Sequence, residues 1–405
     1  MKKVLIFTVT AGNGHNSNAK AIKEHLHKLN PETEIEIVDV LKEYSSKLNV
    51  WLADGGYSLA MQLLPKVYEK FYDLYKKKPA KKRYTCAAQG VAMSIVDGIY
   101  KKIYEFQPDV IYCTHFYPAI ALTNLRLVYN IPAKVIVTSL DYVNSPFWES
   151  CIGVDYFCLP NQDFVEENIK EGFKKEQLLE YGISVKEQFS HNIDKKEARK
   201  LLSLDQNKFT VMIIFGGGQW KGGIKIFESL AKFADKDMQI IMINGKNKQD
   251  YEKIEKIKDT FVCKVENVGF TDKVDLYMDA SDVVVTKGGG LGTTECINKL
   301  KPMLITSKVY GQERYNVEYL KSKNIALTFK NAKELKTNID RFKNDQEFYQ
   351  AAQENLKLLR KNAIDDLSKF ILSQPNADYS QFENRTNVKK EVNKARKLAA
   401  HKSQK

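Results

Sequence analysis

Short apolar runs alternate with amphipathic helical stretches over most of the chain, and this alternation constrains the fold more than any other feature. The runs are apolar and rich in β-forming residues, and their alternation with helices is typical of parallel sheets covered by helices on both faces. They form two series, KVLIFTV, EIEIVDV, VIYCTH, KVIVTSL and YFCLP, then TVMIIFG, QIIMING, FVCKVENV, VVVTK and MLITS. The sequence therefore predicts an α/β fold with two Rossmann-like domains that face a central cleft.

The chain length supports two domains, because 405 residues with 43% hydrophobic content exceed what one compact core usually holds. We predict an N-terminal domain over residues 1–190 and a C-terminal domain over 191–372. A long helix over 344–372 is expected to cross back to the first domain. Residues 373–405 form a basic tail, either a solvated helix or a disordered arm.

Composition indicates which binding partners and which cellular compartment to expect. The formal net charge of +13 favours a polyanion, such as nucleic acid, an anionic membrane or a phosphorylated ligand. The sequence carries no aromatic RNA-binding motif and no helix-turn-helix pattern, so nucleic acid is disfavoured. The cysteines are scattered without zinc-type spacing, which indicates a reducing, cytoplasmic compartment. No apolar stretch approaches the roughly 20 residues of a membrane span, so membrane contact is expected to be peripheral.

The first glycine loop joins the first predicted strand to a helix. Gly12, Asn13 and Gly14 precede His15 there. Glycines allow close approach of the backbone to a ligand, and the helix N-terminus offers unpaired N–H groups. His15 is the candidate general base, although a tight turn with an incidental histidine explains this loop alone equally well. His115 also follows a strand, where a buried structural histidine is an equal alternative.

The second glycine loop ends the first strand of the second series. Gly216, Gly217, Gly218 and Gln219 suit a diphosphate, because successive glycines expose N–H groups at a helix start. The loop lacks the full GxGxxG spacing and a Walker lysine. An NAD or ATP site is therefore disfavoured.

The third loop, VVTKGGGLGTTE over residues 284–295, is the most specific feature. A buried strand runs into glycines that open a helix, where loop N–H groups and the helix dipole can hold phosphate. Glu295 offers two oxygens to the hydroxyls of a ribose, or stabilises the first turn of its helix. Gln312 and Glu313 begin a further helix and are candidates for sugar hydroxyls, with a plain helix start as the alternative.

The segments GNGHNSNAKAI, TKGGGLGTTE and GQERYNVEYL resemble the GxGHxxAA, TKxGGxTxxEA and GxExxNxxY patterns of glycosyltransferase family 28. The likeness covers about residues 1–330. It is greater to bacterial diacylglycerol glucosyltransferases and plant monogalactosyldiacylglycerol synthases than to the peptidoglycan N-acetylglucosaminyltransferase. It implies a GT-B fold and inverting transfer of glucose or galactose from a UDP-sugar to a diacylglycerol-type lipid. The alternatives are an enzyme that uses UDP-N-acetylglucosamine, either a lipid-linked transferase or a 2-epimerase, and a non-catalytic UDP-sugar sensor.

The resemblance also implies roles for individual residues. The catalytic candidates are His15 and Asp141. The nucleotide-sugar candidates are Gly216, Gly217, Gly218, Gln219, Thr286, Lys287, Gly288, Gly289, Gly290, Leu291, Thr293, Thr294, Glu295, Gln312, Glu313 and Asn316. The acceptor candidates are Gly12, Asn13, Gly14, His115 and Trp148. The chain departs from the family at Ser145, where the family has a histidine, and at Ser184, where it has a proline.

We predict that the reaction needs no metal and no cofactor beyond the UDP-sugar. The only DxD-like triplet, at residues 235–237, is expected at a helix-to-strand turn far from the phosphate loops.

A membrane-facing segment is predicted after the second strand. Aromatic and aliphatic residues between 51 and 75 precede a basic cluster, and such a combination favours an anionic membrane surface. The cluster comprises Lys76, Lys77, Lys78, Lys81, Lys82 and Arg83. An amphipathic core helix followed by a charged loop is the alternative interpretation.

Overall fold

The computed structural model describes residues 1–10, 14–46, 88–145, 147–216, 222–307 and 309–402. The chain divides into two compact units, one comprising Met1–Lys186 with Asn362–Lys405 and the other Glu187–Lys361. The first division thus lies a few residues before the expected position at 190, and the C-terminal segment belongs to the first unit.

Each unit contains one six-stranded sheet in which all described pairs are parallel. The strands of the first sheet are β1 (Lys3–Thr8), β2 (Glu34–Asp39), β3 (Val110–Cys113), β4 (Lys134–Thr138), β5 (Tyr156–Cys158) and β6 (Leu178–Leu179). Those of the second are β7 (Phe209–Ile214), β8 (Met238–Ile243), β9 (Lys264–Val268), β10 (Val283–Thr286), β11 (Met303–Thr306) and β12 (Ala326–Phe329). The two-sheet α/β architecture predicted from the sequence is therefore confirmed.

Helices connect the strands and end the chain. The described α-helices are α1 (Gly14–Leu29), α2 (Val40–Tyr44), α3 (Val96–Phe106), α4 (Phe116–Leu125), α5 (Val165–Lys170), α6 (Lys195–Leu201), α7 (Gly223–Phe233), α8 (Lys248–Ile257), α9 (Val274–Ala280), α10 (Gly290–Asn298), α11 (Gln312–Ser322), α12 (Ala332–Asn344), α13 (Gln346–Leu359), α14 (Ala363–Ser373) and α15 (Val388–Lys402). In the described ranges, no helix combines the length and the apolarity needed to cross a membrane.

Strand order fixes where each sheet can bind a ligand. The first sheet runs β2-β1-β3-β4-β5-β6 and the second β12-β11-β10-β7-β8-β9. The order therefore reverses between β1 and β3 in one sheet and between β7 and β10 in the other. At such a switch point the loops that follow the two neighbouring strands diverge and leave a crevice at their carboxyl ends.

The C-terminal helices pack on the first sheet. Ile364, Leu367 and Ile371 of α14 are at most 1% exposed and join the core of β1 and α1. The expected single helix over 344–372 is wrong, because three helices cover this region. The Asp345 carboxylate caps α13 at the first break, accepting from the N–H of Phe348 at 3.0 Å.

The segment after α14 crosses the amino-terminal edge of the first sheet. The Ala377 N–H donates to Asp109 Oδ1 at 2.9 Å, and the Tyr379 hydroxyl donates to the Pro108 carbonyl at 2.8 Å. Val388 and Val392 then anchor α15, since both are buried. Residues 388–402 of the basic tail thus form a helix that packs on the first unit and not a disordered arm.

Candidate functional site

His15 lies at the switch point of the first sheet, in the first turn of α1. Its Nδ1 is 2.6 Å from the carbonyl oxygen of Thr114, the residue that follows β3. A carbonyl only accepts, so Nδ1 carries the proton and Nε2 presents a lone pair. Burial lowers the pKa of His15 to about 4, although its bond to the Thr114 carbonyl opposes this. The imidazole is therefore neutral near pH 7, as a general base must be.

A chain of hydrogen bonds surrounds this histidine. The Thr114 hydroxyl donates to Thr8 Oγ1 at 3.0 Å, and the Thr8 hydroxyl donates to Asn16 Oδ1 at 3.1 Å. Asn16 Nδ2 donates to Thr10 Oγ1 at 3.0 Å. The Thr10 hydroxyl and its backbone N–H both donate to Asp39 Oδ2, the latter at 3.0 Å. Sequence reasoning missed these residues, although polar side chains at the ends of buried strands are the signal that marks them.

His115 caps α4 beside His15. Its Nδ1 accepts from the N–H of Tyr117 at 3.1 Å, and its ring lies edge-on to that of His15 with centroids 4.7 Å apart. It is 6% exposed, and burial lowers its pKa well below the usual value. His115 is thus a buried histidine with a structural role as a helix cap, which was the alternative interpretation of the sequence. Its contact with an acceptor stays a prediction.

Aromatic rings extend the first site away from the histidines. Phe116 stacks on Phe147 with centroids 4.1 Å apart, and Trp148 packs on Phe157 at 4.6 Å. Trp148 is only 5% exposed, so it belongs to the core and not to an open face. An acceptor would contact the half-buried Phe116 and Phe147 more readily than the predicted Trp148.

The other predicted residues of the first unit lie at the same edge or outside the described ranges. Asp141 follows β4, with its N–H 3.5 Å from Ser139 Oγ. Ser145, which replaces the family histidine, is 7% exposed. Gly14 is the first residue of α1, whereas Gly12 and Asn13 are outside the described residues, as is the whole basic cluster over 76–83.

Two glycine loops meet at the switch point of the second sheet. Gly216 follows β7 with φ of +76°, and a side-chain carbon added there would lie 4.0 Å from Lys287 Cε in the loop after β10. A positive φ and an adjacent cation suit a glycine that faces an anion. Gly217, Gly218 and Gln219 fall outside the described residues.

Gly288 is held by the start of α11. A Cβ at this position would lie 2.5 Å from Val317 Cγ2 and 2.8 Å from the Glu313 carbonyl oxygen, so only glycine fits. Asn316, which is fully buried, donates from Nδ2 to the Gly288 carbonyl at 2.9 Å. Asn316, a predicted nucleotide-sugar residue, therefore fixes the shape of the loop, since its side-chain amide donates to the loop backbone.

An ion pair and a helix N-terminus lie where this loop enters α10. The Lys287 ammonium is 3.0 Å from Glu313 Oε1, and both side chains remain partly exposed. Gly290 and Leu291 begin α10, and the first N–H groups of a helix have no intrahelical partner. Thr286 ends β10 at 4% exposure. The helix dipole and the free N–H groups, with a lysine whose ammonium is shared with Glu313, make this loop a candidate anion site.

The two hydroxyls of the third loop bond back to their own helix. Thr293 Oγ1 donates to the Gly289 carbonyl at 2.9 Å, and Thr294 Oγ1 donates to the Gly290 carbonyl at 2.7 Å. In this arrangement the hydroxyls can act on a ligand only as acceptors, which does not suit a phosphate. Glu295 of α10 and Gln312 of α11 are half-buried, and their predicted contacts with sugars stay predictions.

Phe270 is an exposed aromatic residue that sequence reasoning missed. It follows β9 at the carboxyl edge of the second sheet and is 73% exposed, with Lys246 Nζ 5.8 Å from its ring centroid. β9 is the second neighbour of β7, so about 10 Å separates the two strand ends. The sequence did show a phenylalanine two residues after the predicted strand FVCKVENV, which could have indicated an exposed ring at this edge.

Asp235 lies between α7 and β8, at the helix-to-strand turn that was expected for the DxD-like triplet. It pairs with Lys343, Oδ2 to Nζ, at 2.9 Å. Within the described ranges, no group of three or more His, Cys, Asp or Glu side chains is arranged around a metal position. Independence from metal stays a prediction.

Comparison with known families divides the chain in the same way. The family described as monogalactosyldiacylglycerol (MGDG) synthase matches residues 15–185, and the glycosyltransferase family 28 C-terminal domain matches residues 210–369. The first match begins at His15, and the second contains both glycine loops of the second sheet.

Relatives along most of the chain carry related names. MGDG synthase from Spinacia oleracea is 24% identical over 90% of this chain and 69% of its own length. Processive diacylglycerol beta-glucosyltransferase is also 24% identical, over 80% of each chain for the Staphylococcus epidermidis protein and over 88% of this chain and 91% of its own for the Bacillus pumilus protein.

Solved structures agree on the fold. Acinetobacter baumannii MurG superposes with a TM-score of 0.59 at 11% identity, covering 92% of this chain and 99% of its own. Spinosyn rhamnosyltransferase SpnG gives 0.58 at 10% identity, covering 91% and 100%. The chain therefore belongs to glycosyltransferase family 28 and is a glycosyltransferase of the GT-B fold, like the MGDG synthases and diacylglycerol glucosyltransferases.

Proposed function

We propose that the chain transfers a hexose, glucose or galactose, from a UDP-sugar to a diacylglycerol-type lipid with inversion at the anomeric carbon. The observation that carries this proposal is the order of the two family matches. An MGDG synthase segment contains the base-like histidine, and a family 28 C-terminal segment contains the anion site. The relatives named above act on diacylglycerol according to their names.

The second unit would hold the donor. A pyrophosphate fits Gly216, the loop over 288–290 and the first turn of α10, with Lys287 as the cation. Phe270 would stack on the base, at a distance from the phosphate loops that suits an extended nucleotide. The departing UDP gathers negative charge, which these preorganised donors stabilise in the transition state.

The first unit would supply the base. His15 Nε2 takes the proton of the lipid hydroxyl while that oxygen attacks the anomeric carbon. The new glycosidic bond forms as the bond from sugar to phosphate breaks, and UDP leaves on the opposite face. One displacement inverts the configuration and needs no covalent nucleophile.

A direct assay tests the reaction and its alternatives. The protein is incubated with labelled UDP-glucose, UDP-galactose and UDP-N-acetylglucosamine, each with diacylglycerol micelles. We expect labelled glycolipid from one of the two UDP-hexoses. Glycolipid from UDP-N-acetylglucosamine alone would correct the donor. Epimerised sugar without lipid product would establish an epimerase, and UDP-sugar binding without any turnover would establish a sensor.

The first N–H groups of α10 can stabilise a leaving diphosphate, and the Lys287 ammonium, now paired with Glu313, can turn to it, so we propose that turnover needs no metal. Turnover after EDTA treatment is expected to equal turnover with added Mg²⁺. A loss with EDTA that Mg²⁺ restores would show that a metal takes part.

We further propose that the first unit docks on an anionic membrane from the cytoplasm through α15. Lys389, Lys390, Lys394 and Lys397 are all exposed on this helix, and the last three lie on the face away from the buried Val392. Basic side chains near an anionic surface contribute about 1 kcal/mol each. The helix packs on α3 and α4.

The membrane-facing segment predicted from the sequence lies outside the described residues and stays a prediction. Shortly after it, Gln89 Oε1 accepts from Asn124 Nδ2 of α4 at 2.8 Å. Gln89 and α15 therefore contact the same helix of the first unit.

A further inference from the structure

We propose that Asp39 is a positioning residue for the proposed base, acting through Asn16 and three threonines to hold the His15 ring in place. The proposal rests on the transferase function above. It is carried by the direction of the hydrogen bonds at the switch point of the first sheet.

Asp39 sets that direction because an ionised carboxylate only accepts. The Thr10 hydroxyl must donate to Asp39, so its oxygen is left to accept from Asn16 Nδ2. This bond fixes the amide of Asn16 with Oδ1 toward Thr8. The Asp39 carboxylate therefore orients the hydroxyls of Thr10 and Thr8 and the side-chain amide of Asn16.

The same direction continues to the partner of His15. The Thr8 hydroxyl is used on Asn16, so its oxygen accepts from the Thr114 hydroxyl at 3.0 Å. Thr114 is then held at its side chain while its carbonyl receives the Nδ1 proton of His15 at 2.6 Å. The bonds thus connect the charge on β2 to the carbonyl after β3 that selects the tautomer.

The network also ties together both sides of the first glycine loop. Thr8 and Thr10 precede the loop, Asn16 follows it, and His15 lies between these anchors in the first turn of α1. Misplacement of a reacting group by about 1 Å can cost about 10²-fold in rate. The anchors therefore determine where Nε2 meets the acceptor hydroxyl.

Asp39→Asn tests the direction with almost no change in shape. An amide at 39 whose oxygen still accepts from Lys42 N–H, the bond by which Asp39 caps α2, turns its NH₂ group toward Thr10. There it can donate to the Thr10 hydroxyl and let the chain reverse, with loss of the bond from the Thr10 N–H. We expect kcat to fall about tenfold or more, with KM for the UDP-sugar and UDP affinity unchanged and Tm lowered only slightly. Asp345→Asn, at the cap of α13 in the other unit, is the matched control and should retain full turnover.

A charge swap provides rescue. In Asp39→Asn with Asn16→Asp, the carboxylate at 16 accepts from both threonine hydroxyls, so the Thr8 to Thr114 direction returns. Asn16→Asp alone leaves two carboxylates competing for Thr10. We expect the double variant to turn over faster than either single variant, a non-additive result that coupled neighbours give.

The hydrogen bond of His15 supplies a readout independent of turnover. Its tautomer should not change, because the Thr114 carbonyl accepts from Nδ1 whichever way the hydroxyls point. The ¹H and ¹⁵N chemical shifts of the Nδ1–H group should change in Asp39→Asn, because its bond to that carbonyl is no longer held at the wild-type geometry, and should return in the double variant. If the wild type makes no glycolipid but these shifts change, the proposed function fails and the positioning role stands. If Asp39→Asn keeps the wild-type shifts and kcat, or if the double variant recovers Tm without kcat, the positioning role is wrong.

Discussion

At His15, one hydrogen bond separates a base from an incidental turn histidine. With the proton held on Nδ1 by the Thr114 carbonyl, Nε2 is available to an acceptor hydroxyl. We expect His15→Ala to lower kcat about 10²-fold or more, because general-base catalysis usually contributes that much. UDP affinity, measured by calorimetry, should not change, since the anion site lies in the other unit.

The control for this change is His191→Ala, a surface histidine whose side chain is 75% exposed. It should retain wild-type turnover. Equal turnover of His15→Ala and wild type would remove His15 from the mechanism.

The buried histidine pair should also make the first unit sensitive to acid. Burial lowers the pKa of both His15 and His115, His15 to about 4, whereas the unfolded chain titrates near the usual 6.5. Between these values the unfolded state binds protons that the folded state does not. The free energy of unfolding should therefore fall as pH falls from about 6.5 toward 4.

Urea unfolding at a series of pH values measures this dependence. His15→Gln should show a shallower decline than wild type, and His191→Gln should show the wild-type decline. A wild-type free energy that does not change over this range would contradict the argument.

At the scale of elements, the candidate anion site depends on the close packing of Gly288 against the start of α11. Gly288→Ala would place a methyl group 2.8 Å from the Glu313 carbonyl oxygen, so the loop or α11 must move. We expect UDP affinity to fall tenfold or more and stability to fall by about 1–3 kcal/mol. Calorimetric titration and thermal melting measure the two effects.

Gly292→Ala, in the first turn of α10 just after this loop, is the matched control. No described atom lies within 4 Å of its added carbon, and helical alanine is favoured over glycine by about 0.5–1 kcal/mol. Its Tm should be unchanged or higher. A Gly288→Ala protein that binds UDP like this control would show that the loop adapts.

The sequence predicted every strand except one edge strand of each sheet. β6 and β12 were missed, and each is an edge strand of two or four residues without a long apolar run. The glycine loops were predicted because each directly follows a buried strand. The sequence could not group the residues of the hydrogen-bond network that links Asp39 to Thr114. They lie at the ends of three strands and in α1, and only the order β2-β1-β3 brings those strand ends together.

At the scale of the molecule, the candidate base and the candidate anion site both lie where a sheet reverses its strand order. Each sheet reverses its order once, and each reversal carries the loops that the sequence singled out, His15 in one unit and Lys287 in the other. Fold alone does not decide function, since one fold serves many reactions. The side chains at the two reversals and the family matches decide it here.

The net charge of +13 belongs to the whole molecule, but its use on a membrane depends on where the lysines lie. We expect the wild type to float with vesicles that contain phosphatidylglycerol and not with phosphatidylcholine alone, and added salt should release it. Replacing Lys389, Lys390, Lys394 and Lys397 with glutamine should weaken binding at least tenfold, because about 1 kcal/mol is lost per residue. Turnover on micellar acceptor should not change.

The control variant makes the same change of charge on the second unit, at the exposed Lys248, Lys253, Lys256 and Lys333. If attraction follows net charge alone, both variants lose binding equally, and α15 is not the docking surface. If α15 faces the membrane, only its variant is released, because electrostatic attraction falls off within about 8 Å at physiological ionic strength. Equal flotation of all three proteins would place the contact elsewhere on the chain.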